Sequence, residues 1–178
     1  MKSNTRNIVL CALFSALTAI LSQISIPLPF TPVPINLATL AVCLAGGILG
    51  AKWGTISQVV YVLLGAIGLP VFAGFTSGVG IIMGPTGGYI AGYIASAFII
   101  GLVYDKIKKY NLWAGGVAMS IGILGCYTLG TVWFMYITKN GLREALLLCV
   151  IPFLIGDLIK IVSASLIISK VKKYAINL

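Results

Sequence analysis

Asp157 and Lys160 are the residues whose placement most demands a chemical explanation. Both fall well inside an apolar run, Leu146 to Ile168, and their spacing puts them on one helix face. A charge at the centre of a membrane helix costs about 2.5 to 3.5 kcal/mol on insertion scales, so each must face a partner or a polar cavity. Gly156, Ser163 and Ala164 continue the same face with small or polar groups, which turns it inward. Two readings remain open, a neutralising pair that pins helix packing and a pair that contacts a ligand. Apolar residues can replace a purely structural pair without net loss, which favours the ligand.

A second polar stripe, Thr86, Tyr89, Tyr93 and Ser96, follows helical spacing. A buried tyrosine offers a flat apolar ring and one hydroxyl, suited either to a small heterocyclic ligand or to hydrogen bonds between helices. Gln58 and Tyr61 form a shorter version of this pattern. The stretch Gly84-Pro85-Thr86-Gly87-Gly88 sets proline near the start of a helix, where free N–H groups can receive an anion.

Several chemistries lack their residues. The chain has no histidine, and its other acids, Asp105 and Glu144, lie at expected loops, so neither a Ser-His pair nor paired carboxylates are in view. No glycine-rich segment ends in the lysine followed by Ser or Thr that a phosphate-binding loop requires. Cys11, Cys43, Cys126 and Cys149 fall in apolar stretches without metal-ligand spacing and read as buried thiols. The sequence thus points to binding or movement of something and not to catalysis, and it suggests no metal or cofactor.

The elements that must hold these residues are membrane helices. Of 178 residues, 60% are hydrophobic and 8% charged, against about 25% charged in soluble domains. Apolar runs recur at Ile8 to Ile26, Ile35 to Ala51, Trp53 to Leu69, Pro85 to Tyr104, Leu112 to Ile137 and Leu146 to Ile168. Each is near the length that crosses a hydrocarbon layer of about 30 Å. The first follows Lys2 and Arg6 but exceeds a signal-peptide core of roughly 7 to 15 residues, so it is read as a helix.

The net charge of +9 is explained by topology and not by nucleic acid, because the basic residues collect at helix ends. Lys2, Arg6, Lys52, Lys106, Lys108, Lys109, Lys170, Lys172 and Lys173 then share the cytoplasmic side, with both termini. Lys139 and Arg143, partly offset by Glu144, lie opposite. The outer loops, Pro27 to Pro34 and Pro70 to Gly84, carry no charge and read as lids over a pocket or as plain connecting turns. No linker divides residues 1–178, so one membrane domain is expected. Small pairs such as Ala12 and Ala16 let helices approach closely, within the bundle or against another protein.

Four segments occur in order: Pro32-Val33-Pro34, Gly68-Leu69-Pro70-Val71-Phe72-Ala73-Gly74, Gly84-Pro85-Thr86-Gly87-Gly88-Tyr89 and Gly156-Asp157-Leu158-Ile159-Lys160. Together they closely resemble the BioY family across essentially the whole chain. That resemblance implies an all-α integral membrane protein, with six transmembrane helices in one bundle of the S-component type. It also implies biotin capture for an energy-coupling factor (ECF) transporter, with a membrane T component and two cytoplasmic ATPases as partners. Asp157 is then expected on a ureido N–H, and Lys160 balancing it or donating to a ligand oxygen. Tyr89 and Tyr93 would be walls, with Thr86, Gln58 and Asn36 as further polar contacts. Asn36 and Ala38 depart from the family pattern, which expects Thr and a longer polar residue there. The family's small-residue motif falls on Ala12 and Ala16 as a docking face. A binding protein for another small vitamin, or an accessory membrane protein, remains an alternative.

Overall fold

The computed structural model describes residues 2–107 and 110–176; Lys108 and Lys109, counted above among the cytoplasmic charges, lie outside them. The first helix, α1 (Lys2–Gln23), gives way to a hairpin, β1 (Ser25–Leu28) and β2 (Thr31–Asn36), followed by α2 (Ala38–Ala66). A one-turn 3-10 helix (Ala73–Phe75) and the short α3 (Val79–Met83) lead to α4 (Gly87–Ile107) and α5 (Leu112–Thr138). Then come α6 (Leu142–Cys149), a second 3-10 turn (Ile151–Phe153) and α7 (Leu154–Ile176). Five stretches are long and apolar enough to cross a membrane.

The sequence expectation of six passes is recovered inside α2, which is not one rod. Gly50 takes φ 77 and ψ −178, a backbone state open mainly to glycine, and the chain reverses there. A Cβ on Gly54 would stand 2.9 Å from the Ala45 carbonyl oxygen, although nine residues of straight helix would separate the two by about 13 Å. The limbs 38–49 and 51–66 therefore lie side by side, with Ala38, Val42 and Tyr61 meeting in one buried cluster. The reversal falls at Gly50, two residues before Lys52, which separates the two expected spans. At about 18 and 24 Å, neither limb covers the whole hydrocarbon layer.

The shortfall is made up at one end by the uncharged loops. The first is not a plain turn: Ile26 pairs with Ile35 and Leu28 with Thr31 across a two-residue turn at Pro29 and Phe30. Both strands are edges, so Pro27, Pro32 and Pro34 can stay without N–H donors. This ribbon is an addition to the all-α expectation.

The opposite end gathers the basic residues. The Asp105 carboxylate accepts from the Ala51 N–H at 3.3 Å. Nearby Tyr104 stacks on Tyr110 at 5.4 Å, and the Lys172 ammonium lies 5.0 Å from the Tyr110 ring centre. Lys52, Lys106 and Lys172 thus share one face of the bundle. Ser15 of α1 donates to the Ser57 carbonyl at 2.6 Å, and Ser22, two turns on, donates to the Val71 carbonyl at 2.6 Å. The helix α1 therefore ascends beside the limb 51–66 from this basic end, where α7 also finishes.

The largest departure lies in the sixth span. Pro152 has no N–H and its ring would strike the carbonyl of residue 148, so the run from Leu146 to Ile168 breaks into α6, a 3-10 turn and α7. Asp157 stands in the first turn of α7 and not mid-helix. Replacing Gly54 with leucine should force the α2 limbs apart and lower stability by at least about 2 kcal/mol. Gly116→Leu, where a Cβ meets nothing within 4 Å, should be close to neutral by thermal unfolding in detergent.

Candidate functional site

A cavity of about 340 Å³ opens between the helices and the loop end, within the range of roughly 300 to 1,000 Å³ for small-molecule sites. Asn36, Thr39, Tyr61, Thr86, Tyr89, Tyr93, Ser96, Tyr127, Asp157 and Lys160 supply its polar groups. Val33, Val42, Phe72, Ile90 and Phe153 are among its apolar walls. Both uncharged loops contribute, through Pro32, Val33 and Pro34 on one side and Phe72, Ala73 and Thr76 on the other. The lid reading of these loops thus has a structural basis.

The break at Pro152 explains how a carboxylate reaches this depth. With the new start of α7, Asp157 stands in the first turn of that helix, on the cavity wall. It is only 4% exposed and Lys160 only 6%, so the pair is effectively removed from water. The Lys160 ammonium donates to Asp157 Oδ1 at 2.8 Å and to Thr39 Oγ1 at 2.9 Å. The Tyr127 hydroxyl donates to Asp157 Oδ2. Lys160 has three N–H donors, and two have partners among the described residues. One donor and several carboxylate lone pairs therefore remain for a molecule in the cavity.

The tyrosine stripe serves both of its candidate roles. The Tyr89 hydroxyl lies 3.3 Å from Thr131 Oγ1 and donates to the Cys149 carbonyl at 3.4 Å, so it ties α4 to α5 and α6. Its ring meanwhile lines the cavity. Tyr93 stands 6.4 Å, centre to centre, from Tyr61, which meets Phe72 edge-on at 5.6 Å. Asn36 uses its Oδ1 to accept from the Ala38 N–H at 3.1 Å, an Asx turn at the entry to α2. Thr86 lines the cavity, but the helix start beside it is less open than expected. Its Gly87 N–H already donates to Gly84 and its Tyr89 N–H to Thr86, at 3.0 and 3.1 Å.

Gln58 is the expected contact that the structure places elsewhere. It is absent from the cavity wall and wholly buried against α1, donating to Thr18 Oγ1 and Ser57 Oγ at 3.2 Å each. Three helical residues leave Gln58 and Tyr61 about 60° apart, enough to send one toward α1 and the other into the cavity. Conversely, sequence reasoning missed Tyr127 and Thr39. Each had a faint signal, Tyr127 in its four-residue spacing from Thr131 and Thr39 in its three-residue spacing from Asn36. All four cysteines are buried and free.

Helical passes around a cavity at one end place the molecule among multi-pass membrane proteins, and its architecture is that of an S component. It aligns with the crystallised S-component for biotin from an ECF-type ABC transporter at a TM-score of 0.90. The two are 30% identical, over 97% of this chain and 93% of that one. The sequence matches the BioY family over residues 1–177. A biotin transporter BioY of Thermotoga maritima is 40% identical over 97% of this chain and 99% of its own length. One from Rhodobacter capsulatus is 36% identical over 95% and 94%. The chain belongs to the BioY family.

Gln58→Met should leave the thermal midpoint in detergent unchanged or raise it, because Thr18 and Ser57 already donate to the Phe14 and Gly54 carbonyls. The Oε1 of Gln58 is itself buried without a partner. A loss of more than about 1 kcal/mol would mean that its bonds are structurally required.

Proposed function

We propose that this chain captures biotin in the Asp157 and Lys160 cavity and serves as the substrate-binding S component of an ECF transporter in the cytoplasmic membrane. The observation that carries the reading is a buried neutral pair with unused donor and acceptor capacity inside an otherwise apolar, tyrosine-walled cavity. A ureido ring presents N–H donors beside a carbonyl acceptor, which matches Asp157 and the third Lys160 donor. A free carboxylate matches less well, because Asp157 repels it where Lys160 attracts it. The ureido end therefore goes to the pair, the apolar bicycle lies among Tyr61, Tyr89, Tyr93 and Phe72, and the acidic tail points to the loops. Thr86 and the amide nitrogen of Asn36 are secondary contacts.

Nanomolar capture requires about 12 kcal/mol, or roughly 0.8 kcal/mol for each of about 16 ligand heavy atoms, within known limits. The names of the relatives support biotin as the ligand. The residues support binding and not catalysis, and no cofactor is invoked.

The whole chain, residues 1–178, works as one membrane domain with both termini in the cytoplasm, since its basic end carries Arg6, Lys52, Lys106, Lys170, Lys172 and Lys173. Energy comes from a membrane T component and two cytoplasmic ATPases, because the chain has no phosphate-binding loop of its own. Ala12 and Ala16 are exposed on one side of α1, flanked by the exposed Ile8, Val9, Leu13 and Ile20. They form the surface that meets the T component.

Calorimetry on protein purified from biotin-free cells should show saturable binding of biotin and none of riboflavin or thiamine. Asp157→Asn should weaken it by about 100-fold, as expected for loss of a hydrogen bond to a charged group. Unchanged affinity in that variant would remove Asp157 from the site, and loss of folded protein would make the pair structural. Ala12→Trp or Ala16→Trp should reduce co-purification with the T component while sparing biotin binding; intact co-purification would move the docking face elsewhere.

A further inference from the structure

The loop between α2 and α3 is bonded over the cavity from the end of α1, where one side chain, Gln23, reaches both sides of its tight turn. Gln23 is the last residue of that helix. Its Nε2 donates to the Phe72 carbonyl at 3.1 Å, while its Oε1 accepts from the Phe75 N–H at 2.8 Å. The orientation of the amide is fixed by its surroundings. Nε2 also faces the Ala19 carbonyl at 3.2 Å, so a flipped amide would set oxygen against two carbonyls and N–H against N–H. Ser22 adds a bond to the Val71 carbonyl at 2.6 Å, and Tyr61 donates to the same oxygen at 3.2 Å.

The segment so held is strained and sits on the cavity. Phe75 has φ 57, a left-handed conformation that L-residues other than glycine adopt at a cost, next to Gly74 at φ 70. Its ring is 72% exposed and is absent from the cavity wall, so packing does not offset the strain. Phe72 and Thr76, which bracket the segment, both line the cavity, and the Phe72 N–H donates to the Thr76 carbonyl at 3.1 Å. The Phe72 ring is 2% exposed, against Gly65 and Tyr61. A strained backbone whose outer ring packs on nothing in the chain needs an external tie, and the Gln23 amide bonds it on both sides of the turn.

We infer that Gln23 is a positioning residue that clasps the segment 71–76 shut over the cavity and so sets how fast the bound molecule leaves. It does not line the cavity itself and acts through Phe72. Because the clasp belongs to α1, a displacement of that helix by a partner on its exposed side would loosen the lid. Charge plays no part in this coupling. The release-rate part of the inference rests on the biotin reading above, whereas the closing of the lid does not.

The test uses the full chain in detergent with two readouts. In the ligand-free protein, Gln23→Ala should raise amide hydrogen exchange across residues 71–76 by about tenfold, with an unchanged thermal midpoint. With biotin, the same variant should raise the dissociation rate by about tenfold. Adding Phe75→Gly, which takes φ 57 without strain, should restore slow release, whereas Phe75→Ala should not. Unaltered exchange in Gln23→Ala would overturn the clasp whether or not biotin binds. Faster exchange with an unchanged dissociation rate would overturn its control of release. A general fall in thermal midpoint, with no rescue by Phe75→Gly, would overturn it as well. Failure of the unaltered protein to bind biotin would overturn the capture reading and the release-rate role together, leaving the exchange result to decide the clasp.

Discussion

The arrangement turns on one electrostatic constraint: a carboxylate and an ammonium, each almost wholly withdrawn from water, must satisfy one another inside a membrane bundle. Asp157 and Lys160 do so at 2.8 Å, with Thr39 from α2 and Tyr127 from α5 as the remaining protein partners. Removing one member of such a pair typically costs about 3 to 5 kcal/mol, because the other is left buried and uncompensated. Three helices are thereby required to converge at one point. Their convergence, with tyrosines from α4, leaves a small cavity whose polar capacity is concentrated at that point.

The break at Pro152 belongs to the same logic. Had the last span run unbroken, Asp157 would sit mid-helix with no free N–H groups nearby. The interruption gives α7 a start of its own near the cavity, with Asp157 in its first turn. Gly50 plays the corresponding role in α2: by reversing the chain early it yields two short limbs, and the space above them is occupied by the hairpin and the 71–76 segment. Short helices and apolar loops together line one cavity.

Much of this was legible in the sequence where a strong physical penalty applies. Charges in apolar runs are costly, so Asp157 and Lys160 stood out and their shared face was correctly turned inward. Six passes and the gathering of most basic residues at one end followed from length and charge. What stayed hidden depended on weaker preferences. Gln58 and Tyr61 look like one stripe, yet a rotation of about 60° separates them. Tyr127 and Thr39 carry no charge and so drew no attention. Pro152 was readable as a helix breaker, but the apolar composition around it argued for continuity. The proline-rich loop gave no alternating pattern by which to anticipate a hairpin.

The central claim is that the buried pair, and not the outer loops, reads the ureido end of biotin. A structure of this chain determined with biotin bound would test it most directly. The account predicts the ureido ring within hydrogen-bond distance of the Asp157 carboxylate and the Lys160 ammonium, with the acidic tail toward the 71–76 segment. Biotin bound in the reverse sense, or at the loops with the pair's contacts to Thr39 and Tyr127 untouched and no contact to either charge, would contradict it.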